Sequence, residues 1–100
     1  MSEEKYKWLL HVMRQASYEL HESDEDVEWY LFNERSANPW IIDQLKVDFI
    51  NTNKDDDWDW VEANAATKFL PIDNNPDSKQ LRQDFIEIVM NYLFPNESWA

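Results

Sequence analysis

The segment from Asn51 to Glu62 carries side-chain oxygens at a regular spacing. Asn51, Asn53, Asp55, Asp57, Asp59 and Glu62 occupy positions 1, 3, 5, 7, 9 and 12 of one frame, the spacing at which an EF-hand loop collects calcium ligands. The chemistry would be coordination of a hard cation, closed by a bidentate Glu62. Three departures weigh against it. Asn51 stands where the motif has Asp, Asp56 stands where Gly makes the sharp turn, and Trp58 interrupts the polar run. Starting the frame at Asp55 puts Ala66 in the last position and removes the bidentate ligand. Calcium binding through 51–62 is kept as an alternative. The favoured reading assigns no metal ligand and no cofactor.

The same acids also read as a helix start. Asp55, Asp56 and Asp57 precede an apolar-periodic segment, where carboxylates meet the positive end of the helix dipole, worth roughly 0.3–1 kcal/mol each. Asp59 and Glu62 add a D-x-x-E arrangement. One cap and one first-turn acid would serve a helix, so the number of acids exceeds what the start needs. A second group, Glu22, Asp24, Glu25, Asp26 and Glu28, falls at another predicted helix start. Carboxylates three or four residues apart on a helix lie about 5–6 Å apart at Cβ, similar to successive phosphates on one strand. If both starts lie on one side of the fold, they form one broad negative face.

These positions need elements to hold them. The chain has 100 residues, the size of a single domain covering 1–100. Ser2 as N-cap opens a predicted helix over 3–21, with Tyr6, Leu9, Met13, Ala16 and Leu20 on one face. A second row runs Trp8, His11, Gln15, Tyr18. Ser23 with Asp26 opens a helix over 24–35. Within it "VEWYLF", residues 27–32, is apolar all round and also fits a buried strand. Asn38-Pro39 opens a segment with Ile41, Ile42, Leu45 and Phe49 on one side, although 41–50 also alternates like a strand. A helix over 57–70 places Trp58, Val61, Ala65 and Phe69 together and stops at Pro71. The last helix, about 78–94, opens at Asn75-Pro76 or Ser78 and carries Leu81, Phe85, Ile88, Val89 and Tyr92. The fold expected is all-α, a compact bundle of four or five helices. The alternative is α+β with a hairpin from 27–32 and 41–50.

Composition narrows the function. There is no cysteine, which excludes disulfides and thiolate metal sites. There is no glycine, which disfavours tight hairpins and excludes Gly-rich phosphate and dinucleotide loops. His11 and His21 lie on one predicted helix facing different ways, and no serine has a nucleophile-elbow context. The chain therefore reads as not an enzyme. "MSEEKYKW" lacks the apolar run of a signal peptide, and no window approaches the roughly 20 apolar residues of a membrane span. The expected location is cytoplasmic.

The net charge is −12, from 21 acids and nine bases. Such an excess repels nucleic acid and anionic membranes. It favours a cationic partner, because complementary potential speeds encounter and sets specificity; solubility alone is the plain alternative. Trp58 and Trp60 are two apart and cannot both face the core from one helix. One is expected to be exposed or covered by a neighbouring segment, with Trp60 beneath 71–77 in the second case. Exposed aromatics are enriched at binding hot spots.

In size, acidity and helical content the chain is generally similar to phage-encoded DNA mimics and nuclease immunity proteins, a likeness of charge with no motif behind it. The function expected is a small acidic inhibitor or immunity-type protein. It would bind the basic, nucleic-acid-binding surface of a nuclease or another nucleic-acid-binding protein, and neither nucleic acid nor membrane directly. Its contacts would come from Glu22, Asp24, Glu25, Asp26, Glu28, Asp55, Asp56, Asp57, Asp59, Glu62, Trp58 and Trp60. The alternative is an adaptor that holds a protein ligand on exposed aromatics such as the Trp8/Tyr18 row.

Overall fold

The computed structural model describes residues 5–21, 23–71 and 76–99. Among them the chain forms five helices and no strand. The all-α expectation holds, and both segments of the alternative hairpin are helical.

Helix α1 spans Lys7–Gln15 and buries Leu9, Leu10, Val12 and Met13. It starts later than the expected residue 3, because Lys5 and Tyr6 form a turn before it; the expected cap Ser2 lies outside the described residues. The helix ends six residues before the expected 21. Ala16 leaves helical geometry, and the Tyr18 N–H donates to the Phe69 carbonyl at 3.2 Å. That bond draws the chain away from the helix axis. Tyr18 and Leu20 are consequently exposed, the second row stops at Gln15, and His21 is not on the helix of His11. No local side chain caps α1. Asp48, forty residues on, accepts from the Trp8 and Leu9 N–H groups at 3.0 and 3.1 Å.

Helix α2 spans Asp24–Ala37, and the Ser23 hydroxyl accepts from the Asp26 N–H as its sequence predicts. Only Val27 and Leu31 are buried within it. The rest of the apolar run faces outward or to the side. Asn38 is a one-residue corner, since a residue before proline avoids helical geometry. Helix α3, Pro39–Thr52, buries Ile41, Ile42, Leu45 and Phe49. Val47 faces solvent, as helical rather than strand periodicity requires.

Helix α4 is shorter than 57–70 and spans Trp60–Thr67. Asp59 caps it, accepting from the Val61 and Glu62 N–H groups at 2.9 and 3.4 Å. Its buried face is Trp60, Ala63, Asn64 and Thr67; of the expected set Val61 and Ala65 face solvent, Trp58 precedes the helix and is half-buried, and Phe69 is in the core but beyond the helix end. Lys68 ends it in left-handed geometry, φ 58, a place glycine would normally take. Asn64 grips the chain beyond, accepting from the Leu70 N–H at 2.7 Å and donating to its carbonyl at 3.1 Å. The helix therefore stops before Pro71 acts.

Helix α5 runs continuously from Ser78 to Leu93, with a π-helical turn at Ile86–Met90. The Asp77 carboxylate caps it through the Gln80 N–H at 2.8 Å, so Ser78 is its first residue. Asn75 lies outside the described residues. The wider π turn inserts a residue and rotates the last turn of the helix. Ile86, Met90 and Leu93 thereby join Leu81, Phe85 and Val89 in the core, while Ile88 and Tyr92 are half-buried.

Phe49 sits at the centre of an aromatic core. The rings of Trp99, Phe85 and Trp60 lie 5.3, 5.9 and 6.0 Å from it. Such pairs add about 0.5–1.5 kcal/mol each beyond their area burial. The tail folds back over α3 and α5. Arg82 donates to the Trp99 carbonyl at 2.8 Å, and Lys46 pairs with Glu97 at 2.6 Å. Among the described residues no helix is long and apolar enough to cross a membrane.

Candidate partner-binding surface

The six oxygens of the calcium frame do not converge. Asn51 belongs to the last turn of α3. The Asp55 carboxylate turns toward the amino-terminal side, pairing with Lys5 Nζ at 2.7 Å and accepting from the Tyr6 hydroxyl. Asp59 is committed to α4. Among the described residues no group of three or more His, Asp or Glu side chains gathers in a way that could hold a metal ion.

Asp55 is therefore not a helix-dipole acid. Its second oxygen accepts from the Asp57 N–H at 2.9 Å and closes the 55–57 turn. The Lys5 and Tyr6 hydrogen bonds hold its carboxyl down to about 2. Asp56, Asp57 and Glu62 are exposed. Trp58 is half-buried, edge-on to Tyr6 at 5.2 Å and to Trp60 at 5.2 Å. Trp60 is 6% exposed and packs on Phe49 and Phe85; most of the segment 71–77 expected to cover it lies outside the described residues. Its side chain belongs to the core and is not offered to a partner. Trp58 keeps part of its surface in solvent.

The second acidic group is placed differently. Asp24, Glu25, Asp26 and Glu28 are all exposed on the first turns of α2; Glu22 lies outside the described residues. Ser23 and Asp24 neighbour Ala16, just past the end of α1, whereas Asp55 is held at Lys5 and Tyr6, just before its start. The two acidic groups thus stand at opposite ends of α1, a helix roughly 13 Å long. A standard interface covers about 800 Å² of each partner, and the molecule extends 31 × 28 × 25 Å, so one partner is wide enough to reach both.

Beside the α2 acids lies a feature that the sequence pattern did not single out. Trp29 is 67% and Phe32 43% exposed. Their rings are parallel within 8°, with centroids 5.9 Å apart. Together with Glu25, Asp26, Glu28 and Tyr92 of α5 they line an open cleft of about 480 Å³. The signal was present in 27–32: a helix with apolar residues all round, packed on one side only, must leave some of them outside. Farther along α2, burial and then the nearby Glu34 raise the Tyr30 phenol above its ordinary value, so it stays neutral. A second aromatic pair, Trp8 and Trp40, meets edge-on at 4.7 Å, with Lys7 over the Trp8 ring.

Comparison with family models, curated proteins and solved structures finds no match to this chain. The functional reading rests on its geometry and chemistry.

Proposed function

We propose that this chain is a small acidic inhibitor or immunity-type protein of the cytoplasm. It occupies the basic, nucleic-acid-binding surface of a nuclease or another nucleic-acid-binding protein, performs no catalysis, and binds neither nucleic acid nor membrane itself. One observation carries the reading: exposed carboxylates and large exposed aromatics share a single strip of α2, around an open cleft. Carboxylates alone would serve solubility. Exposing Trp29 to water gains nothing for folding, whereas aromatic anchors beside charges are what a protein interface uses. The net charge of −12 supplies long-range steering toward a basic surface. Asp56, Asp57 and Glu62 extend the negative potential beyond the other end of α1.

The test is competition. A basic partner captured on the immobilised chain should be released by duplex DNA and should lose its own nucleic-acid binding when the chain is added. Simultaneous binding of chain and DNA would overturn the reading. The adaptor alternative, expected on the Trp8/Tyr18 row, has the Trp8/Trp40 pair to draw on instead, because Tyr18 lies beyond α1; Trp40 is 52% exposed. It requires Trp40→Ala to weaken binding more than neutralising the α2 acids does.

A further inference from the structure

Building on that reading, we infer that the α2 cleft seats an arginine side chain from a basic segment of the partner. The guanidinium lies on the open face of Trp29, and Glu25 and Glu28 accept its N–H groups.

The spacing provides for this. Glu28, Trp29 and Phe32 follow Glu25 by three, four and seven residues, so they form one strip in which partners three or four apart have Cβ atoms about 5–6 Å apart. Tyr92 supplies the opposite wall from α5. The two α2 rings are stacked, with Trp29 the more open of the two at 67% exposed, so the outer face of its indole is a flat surface backed by Phe32. A planar group fits a flat platform. A compact ammonium gains less from a single flat face than a planar group does.

Guanidinium is planar, more weakly hydrated than ammonium, and able to stack on an aromatic face while bridging a carboxylate through two N–H groups. The chain already shows this chemistry at the edge of the same cleft, where the Arg35 guanidinium lies 5.7 Å from the Tyr92 ring centre. A second copy of the chain is a poor occupant, because it would bring a charge of −12 against an acidic cleft.

The experiment titrates the whole chain with a short blocked peptide of alternating arginine and serine, and with its lysine counterpart of equal charge. The readout is the Trp29 indole resonance, followed at low and at moderate salt. The arginine peptide is expected to bind about fivefold more tightly than the lysine peptide. Trp29→Ala should remove about that factor, and Glu25→Gln with Glu28→Gln should weaken both peptides by a similar amount. Trp40→Ala should change nothing. Circular dichroism confirms that each variant is folded, and the surface positions of all these residues favour that. Equal affinity for the two peptides, or indifference to Trp29→Ala, overturns the arginine assignment while leaving charge-driven binding in place. Failure of both peptides to bind at low salt overturns this inference, while the inhibitor reading stands or falls separately on the DNA competition.

Discussion

Trp29 and Phe32 stand one turn apart on α2 with their rings parallel and their outer faces in water, whereas Trp60 is enclosed by Phe49 and Phe85. The two tryptophans should respond oppositely to truncation. Trp29→Ala is expected to change unfolding free energy by no more than about 0.5 kcal/mol, as for an exposed site. Trp60→Ala is expected to cost about 3–5 kcal/mol through the cavity it leaves. Urea denaturation of both variants checks this. A large loss in Trp29→Ala would mean that the platform is part of the fold rather than a surface.

Asp48 caps α1 from α3. Removing the acceptor in Asp48→Ala leaves two amino-terminal N–H groups without it and should cost about 1–2 kcal/mol. Asp48→Asn keeps an acceptor oxygen and should lose much less. Burial raises the Asp48 carboxyl above its ordinary value, while the Leu9 and Trp8 N–H bonds oppose the rise. A raised folded value means that ionising Asp48 works against the folded state as pH climbs through it. The asparagine variant escapes this. The ordering of the two variants in a denaturation series is the check.

Lys68 closes α4 with a positive φ in a chain that has no glycine. Left-handed geometry costs a residue with a Cβ roughly 1–2 kcal/mol, and glycine gives part of that back through its freer unfolded chain. Lys68→Gly should therefore raise stability by about 0.5–1 kcal/mol, seen as a higher thermal midpoint. A lower midpoint would show that the Lys68 side chain holds more than its exposure suggests.

Asp55 sets an acid limb. Its folded value of about 2 lies below the ordinary 3.8, so its contribution is fully present above the ordinary value. That contribution is lost as pH falls from there through the folded value. Asp55→Asn should be less stable than the parent at neutral pH and should show a flatter decline between about pH 4 and 2. Parallel acid-denaturation curves for the two proteins would contradict the Lys5–Asp55–Tyr6 linkage.

What the sequence showed was mostly local. Ser23 and Asn38-Pro39 mark helix starts through residues within a few positions of one another, and α2 and α3 begin where those residues place them. Contacts across the chain were not readable. Asp55 looks like a helix-start acid until Lys5 and Tyr6 are found against it, and Asp48 carries no sign that it caps a helix forty residues earlier. The far end of α1 was over-extended because its periodicity continues through Leu20, while the Tyr18–Phe69 bond that turns the chain joins residues far apart in sequence. The π turn in α5 has no breaker residue to announce it. Of the candidate site, the α2 acids were legible as a group. Trp29 and Phe32 were not, because an apolar run all round a helix does not say which side packs.

The most direct measurement of the central claim is the salt dependence of binding to a captured basic partner, for the parent chain and for Glu25→Gln with Glu28→Gln. Charge-driven docking through α2 predicts affinity that falls steeply as salt rises. It also predicts a shallower slope in the double variant, with weaker binding at low salt. Affinity that is indifferent to salt in the parent, or a slope unchanged by removing both carboxylates, would contradict it.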